Sequence, residues 1–318
     1  MRHFLLPHTD LQVSELIYGC MRIRGSWQDD PLAEEEIAKG LRSVRAALDC
    51  GINFFDHADI YGRGRCEELF GHLWTREQVR REDVVLQSKC GIRPGLGYDF
   101  RPEHILRSVE GSLQRLRTDY LDILLLHRPD LLMDPDAVAD TFYQLHREGK
   151  VRYFGVSNFS PSLQRMLQSR LSLPLVTNQI RFGPGFVHPA ASWLVAGGAE
   201  TGAATRGEGV LEYAMETGFR PQAYCPVTAG GIMDPVSPED SPVTRDLKTC
   251  LGRLAAELGT TPDVLAIAWV AKHPSGIQPI IGTTRPERIQ AAVGFGDVDL
   301  THEAWYEILN AARGRPLP

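Results

Sequence analysis

The chain has 318 residues, 43% of them apolar and 23% charged, enough for one large domain or two ordinary ones. Its formal net charge of −6, with no clustered basic stretch, speaks against nucleic-acid binding and leaves a small molecule as the expected partner. No run approaches the roughly 20 apolar residues that span a bilayer, and Met1 to Asp10 lack the apolar core of a secretory leader, so no membrane partner and a cytoplasmic location are expected.

From Ser14 onward, short apolar runs alternate with stretches of helical periodicity, the rhythm of βαβ units around a parallel sheet. Eight strands are predicted, each a continuous apolar run of the kind buried on both faces: Glu15–Tyr18, Asn53–Phe55, Val84–Gln87, Leu121–Leu126, Tyr153–Val156, Leu175–Thr177, Ala223–Tyr224 and Ile277–Ile281. Between them Ile37, Leu41, Val44 and Leu48 share one helical face, as do Ile105, Val109, Leu113 and Leu116. Thr261-Pro262-Asp263 reads as N-cap, N1 proline and acidic first turn of a helix through Val270, and a last helix carries Trp305, Ile308 and Leu309. Without a linker or composition break at mid-chain, this pattern predicts one (β/α)8 TIM barrel over residues 1–318, with an N-terminal hairpin and extra C-terminal helices. The Gly/Ala/Thr-rich stretch from Gly197 to Gly209 is expected to be a surface loop or flap.

In such a barrel, function gathers where the strands end. The second predicted strand is followed by Asp56-His57-Ala58-Asp59-Ile60-Tyr61-Gly62, the third by Ser88-Lys89-Cys90-Gly91, and the fourth by His127-Arg128-Pro129-Asp130. The fifth runs into Ser157-Asn158, the sixth into Asn178-Gln179 and the seventh into Tyr224-Cys225-Pro226. Lys89 stands out in a chain whose other lysines are Lys39, Lys150, Lys248 and Lys272. Buried beside Asp56 it would stay charged, and beside Tyr61 it would stabilise phenolate and make the tyrosine a better acid near neutral pH. A structural Asp–Lys pair with a packed tyrosine is the plainer account of the same three residues. His127 is either a satisfied core histidine or a group that hydrogen-bonds a substrate carbonyl. The six cysteines (Cys20, Cys50, Cys66, Cys90, Cys225 and Cys250) form no CxxC pair and sit near no histidine in zinc-like spacing, so free thiols and no metal are expected.

These residues resemble the aldo-keto reductase superfamily over nearly the whole chain. The family signature Asp-x-Ala-x-x-Tyr-Gly stands as Asp56 to Gly62, the strand-end lysine as Lys89 and the strand-end histidine as His127. The resemblance implies that Tyr61 is the general acid, that Lys89 and Asp56 tune it, and that His127 orients the carbonyl. Gly155-Val156-Ser157-Asn158-Phe159 resembles the family's Gly-x-Ser-Asn-Phe segment, which implies that Ser157, Asn158 and Gln179 hold a nicotinamide carboxamide. By the same likeness Tyr224 stacks on the nicotinamide ring, and the backbone of Cys225, Pro226, Val227 and Thr228 cradles the pyrophosphate. Ile281-Gly282-Thr283-Thr284, with Arg288 and Arg285, resembles the segment that holds the adenosine 2′-phosphate. Gly19, Cys20 and Met21 complete the implied cofactor contacts, and Met21, Trp27, Tyr61, His127 and Arg128 the substrate contacts.

Some positions depart from the family pattern. Gly282 stands where many relatives have lysine, and Ala291 and Ala292 where they have a Glu-Asn pair, so NADP(H) is the expected cofactor with NAD(H) as alternative. Cys225 replaces a common serine, and Met21 a common pocket tryptophan. The implied function is NADPH-dependent reduction of aldehyde or ketone carbonyls; relatives are often monomers while others assemble, and the helical faces here leave the oligomeric state open. The alternatives are a nicotinamide sensor of the same fold with little turnover, as in potassium-channel β-subunits, and a TIM-barrel isomerase or lyase.

Overall fold

The computed structural model describes residues 1–191 and 209–317. In chain order the barrel strands are β1 (Ile17–Gly19), β2 (Phe54–Asp56), β3 (Val85–Cys90), β4 (Leu121–Leu126), β5 (Val151–Ser157), β6 (Leu175–Arg181), β7 (Gln222–Tyr224) and β8 (Gln278–Ile281). They close into one barrel in which each strand neighbours the next in sequence, the arrangement the alternating pattern predicts. Among the described residues the α-helices longer than one turn are α1 (Glu34–Asp49), α2 (Arg65–Phe70), α3 (Pro102–Leu116), α4 (Pro135–Arg147), α5 (Pro161–Gln168), α6 (Val210–Thr217), α7 (Pro242–Glu257), α8 (Pro262–Ala271), α9 (Pro286–Ala292) and α10 (His302–Arg313). An antiparallel hairpin, His3–Leu5 with Gln12–Ser14, precedes β1.

Helix faces follow from spacing. Ile105, Val109, Leu113 and Leu116 are all buried on α3, and Ile37, Leu41 and Val44 on α1, while Leu48 is half-buried. Pro262 opens α8 as expected, but the Thr261 hydroxyl turns to Asp263 and makes no cap to the helix backbone. The Gly197–Gly209 segment lies outside the described residues apart from Gly209, whose φ of +65° starts α6.

The chain groups into two compact units. The first holds Met1–Gln179 and Gly282–Gln290. At the strand N-terminal ends of this unit, Asn53, Val85, Asp122 and Arg152 border a cavity of about 580 Å³. There Asp122 is saturated by Arg81, Arg152 and the Leu86 amide, which marks a structural network. The second unit holds Ile180–Ile281 and Ala291–Pro318 around a core of Phe182, Leu211, Leu251, Leu265, Trp269 and Ile308.

Several strands run past their apolar stretches. β3 continues through Ser88, Lys89 and Cys90, paired with Leu124, Leu125 and Leu126 of β4, and β6 through Asn178 and Gln179, paired with Val156 and Ser157 of β5, to end at Arg181. Backbone pairing is indifferent to side-chain polarity, provided each buried polar group finds a partner. The register shows how they do. Asp56 of β2 lies beside Gln87 of β3, and Lys89 follows Gln87 on the same face, while Ser88 points the other way, to Glu67 of α2.

Candidate active site

Asp56, Tyr61, Lys89 and His127 all belong to the first unit, and the structure brings them together. The Lys89 ammonium, fully enclosed, donates to Asp56 Oδ2 at 2.7 Å, to the His57 carbonyl at 2.8 Å and to the Tyr61 hydroxyl at 3.1 Å. It also lies 4.9 Å from the centroid of the Tyr61 ring. The other Asp56 oxygen accepts from Gln87 Nε2 at 2.6 Å and from Gln179 Nε2 at 3.0 Å. The carboxylate is thus met by one ammonium and two amide donors, so each oxygen has a partner. The His127 ring meets Tyr61 edge to face, centroids 6.0 Å apart.

Burial governs the protonation of the cluster. It disfavours the Lys89 ammonium, yet Asp56 and Tyr61 outweigh it and raise the lysine above its ordinary value. His127 is pushed down to about 2 by burial, then by Lys89 and Arg128, so the imidazole is neutral. Tyr61 departs from expectation. Burial pushes its hydroxyl up to about 12; Lys89 lowers it, but only against further raising by Asp56 and Cys20. The phenol in this state is a held proton rather than an activated one.

The Tyr61 turn is built on glycine. Gly62 and Gly64 have φ of +54° and +87°, with Arg63 between them at +57°. Beneath it, Glu67 is fully buried and accepts from Ser88 Oγ at 2.6 Å and Arg115 Nε at 2.9 Å. Neither Gln87 nor Glu67 was singled out in the sequence. Gln87 could have been found from parity, because it shares the inward face of its strand with Lys89.

Of the residues expected to meet a nicotinamide, Ser157 donates to the Gln179 carbonyl at 2.9 Å, and Asn158 Nδ2 to Ser157 Oγ at 2.9 Å and the His127 carbonyl at 3.3 Å. Asn158 has φ +62°, a conformation that non-glycine residues adopt at a cost and that clusters at functional sites. In the segment after β8, the Thr283 carbonyl accepts from Tyr18 at 3.1 Å. Arg285 and Arg288 are exposed and make no ion pair among the described residues, and a Cβ on Gly282 would meet nothing within 4 Å. Two unpaired guanidinium groups beside open backbone fit an anionic phosphate. In the second unit Tyr224 is half-buried, Cys225 has φ +56°, and Gly183 packs so closely on the Pro226 backbone that a Cβ would lie 2.5 Å from its carbonyl oxygen. Gly19 is the last residue of β1, Cys20 is buried, and Met21, Trp27 and Arg128 are exposed.

A parallel eight-stranded barrel with a buried Asp–Lys–Tyr cluster and a strand-end histidine defines a class. The aldo/keto reductase family model matches residues 15–312, and the chain belongs to that family, whose members generally use NAD(P)H. It is 38% identical to an uncharacterized oxidoreductase, YcsN, of Bacillus subtilis, with 97% of each chain covered. It is 33% identical to a 6-dehydroglucose reductase of Novosphingobium aromaticivorans, over 98% of this chain and 96% of the relative. Among solved structures, the thermostable aldo-keto reductase Tm1743, crystallised with epalrestat, superimposes with a TM-score of 0.79 at 25% identity over 98% of this chain and 100% of that one.

Proposed function

We propose that this oxidoreductase reduces aldehyde or ketone carbonyls with NADPH, Tyr61 giving the proton to the carbonyl oxygen. The observation that carries the reading is the hydrogen-bonded chain from Asp56 through Lys89 to Tyr61, with a neutral His127 at its side. A structural ion pair has no need of a phenol bonded to the ammonium, nor of a second polar ring against that phenol.

A bound nicotinamide supplies the hydride to the carbonyl carbon. Ser157, Asn158 and Gln179 would hold its carboxamide, Arg285 and Arg288 a 2′-phosphate, and Tyr224 with the Cys225–Thr228 backbone the contacts that the family resemblance implies. As negative charge builds on the carbonyl oxygen, the Tyr61 proton moves to it, and the Lys89 ammonium stabilises the phenolate left behind. Asp56 keeps Lys89 charged through that step. Neutral His127 donates a hydrogen bond to the carbonyl oxygen and so fixes its direction.

NADPH oxidation at 340 nm against a panel of aldehydes, diketones and ketones tests the reading, with Tyr61→Phe beside wild type and cofactor binding followed by fluorescence. Loss of about 10²–10⁴-fold in kcat with binding retained is the expected result. Tight binding of NADPH by wild type without turnover would replace the reductase with a nicotinamide sensor.

A further inference from the structure

Arg24, in the loop after β1, has a side chain with no exposed surface. A buried guanidinium is costly unless its charge is paired and most of its donors are used. Here Nη1 donates to the Gln28 carbonyl and Nη2 to both the carbonyl and the carboxylate of Asp30, while Nε faces Glu36 at 3.5 Å without a hydrogen bond. Glu36 in turn accepts from the Ala33 amide at 2.9 Å in the first turn of α1. The guanidinium is thus the hub around which residues 24 to 36 are folded. An apolar residue would bury at lower cost, so an arginine here specifies a loop shape.

That loop leans on the Tyr61 turn. A Cβ on Gly62 would lie 3.4 Å from the Ser26 carbonyl oxygen and 3.6 Å from Arg24 Cδ. Cys66 Sγ donates to the Met21 carbonyl at 3.4 Å, and Arg63 and Arg65 face Asp29 at 3.6 and 3.9 Å. The last two pairs are exposed and add little. The loop conformation therefore rests on Arg24. Between Ser26, whose carbonyl faces Gly62, and Gln28, which Arg24 holds, stands Trp27, an indole left 51% exposed.

We infer that Arg24 is a positioning residue that clamps the loop after β1 against the Tyr61 turn and holds Trp27 as a platform for a ring, aryl or pyranose, carried by the carbonyl substrate. The inference rests on the reductase reading. A flat aromatic surface recognises a ring by stacking and apolar contact, worth roughly tenfold, or about 1.4 kcal/mol.

Kinetics and spectroscopy test it separately. With NADPH, Trp27→Ala is expected to lower the ratio of kcat/KM for 4-nitrobenzaldehyde over methylglyoxal by about tenfold, through KM. Arg24→Gln gives the same loss of discrimination, and the double variant loses no more than Trp27→Ala alone. Asp30→Asn, which leaves the guanidinium its other partners, gives a smaller loss and is the variant to read should Arg24→Gln fail to fold. In protein labelled with 5-fluorotryptophan, the ¹⁹F resonance missing from Trp27→Phe is that of Trp27, and it shifts or broadens in Arg24→Gln and Asp30→Asn. An unmoved resonance in both overturns the clamp, and equal losses on both aldehydes overturn the platform. A wild-type protein that reduces neither aldehyde removes the platform together with the reductase reading, while the fluorine signal still decides the clamp.

Discussion

The Lys89 ammonium donates to the Asp56 carboxylate at 2.7 Å with both side chains out of water, so neither charge can be removed without stranding the other. Lys89→Met is expected to cost about 3 kcal/mol, the low end for breaking a buried pair, because Asp56 keeps the Gln87 and Gln179 amides. Adding Asp56→Asn should recover most of that stability without restoring activity. Urea unfolding of the two single variants and the double at pH 7.5 measures the coupling; additive losses would mean that the two charges are not energetically paired.

His57 and His127 both oppose acid. Burial first and Lys89 second push them down to about 3 and about 2, so the folded chain keeps both rings neutral. Unfolded histidine takes up a proton near pH 6.5. As pH falls below that value the unfolded state binds protons that the native state refuses, and the stability present above pH 6.5 is lost. The loss is about 2 kcal/mol per ring by pH 5. His57→Gln is expected to remove one ring's share, about 2 kcal/mol, of the stability lost between pH 7 and 5 in denaturant titrations, and an unchanged loss would put its source elsewhere.

Asp59 has the opposite sign. Burial, then the nearby Glu67 carboxylate, pushes it up to about 7, against a Ser108 hydrogen bond and Arg115 that lower it. Between about pH 4 and 7 the native state holds a proton that the unfolded chain has released, so stability falls as pH rises through that window. Asp59→Asn removes the penalty of a buried carboxylate. It should raise Tm at pH 8 and change it little at pH 4; a Tm gain that does not depend on pH would show that Asp59 ionises normally.

Strand and helix periodicity carried the barrel because eight apolar runs and their amphipathic partners repeat two physical periods, and Ile105 to Leu116 needed no tertiary information to be placed. Four polar residues at strand ends were legible for the same reason, since Lys89 and His127 interrupt or follow runs that are otherwise entirely apolar. What spacing could not carry was contact at long range. The Ser88–Glu67–Arg115 network joins β3, α2 and α3, and the Arg24 hub spends its donors largely on backbone carbonyls, which a side-chain pattern does not display. Gly155 was read as part of a cofactor segment, yet its first constraint is packing, because a Cβ there would lie 2.8 Å from the Thr177 carbonyl oxygen and 2.6 Å from Leu125. The acidity of Tyr61 also escaped the sequence, which shows the lysine beside it but not the depth of burial.

In the second unit Trp269 and Trp305 stack with centroids 4.8 Å apart and planes 7° from parallel, and each indole nitrogen donates to the other's backbone carbonyl, at 2.9 and 3.0 Å. This reciprocal pair fastens α10 to α8. Trp305→Phe keeps most of the apolar contact but removes the donor to the Trp269 carbonyl, and is expected to cost about 1–2 kcal/mol. Trp305→Ala also opens a cavity against the fully buried Trp269 and should cost about 3–5 kcal/mol. Both residues belong to the second unit and the Asp56–Lys89–Tyr61 cluster to the first, so the losses should appear in urea unfolding with KM for NADPH unchanged below the transition. Equal costs for the two substitutions would mean that the hydrogen bond, and not the stacked ring, holds the last helix in place.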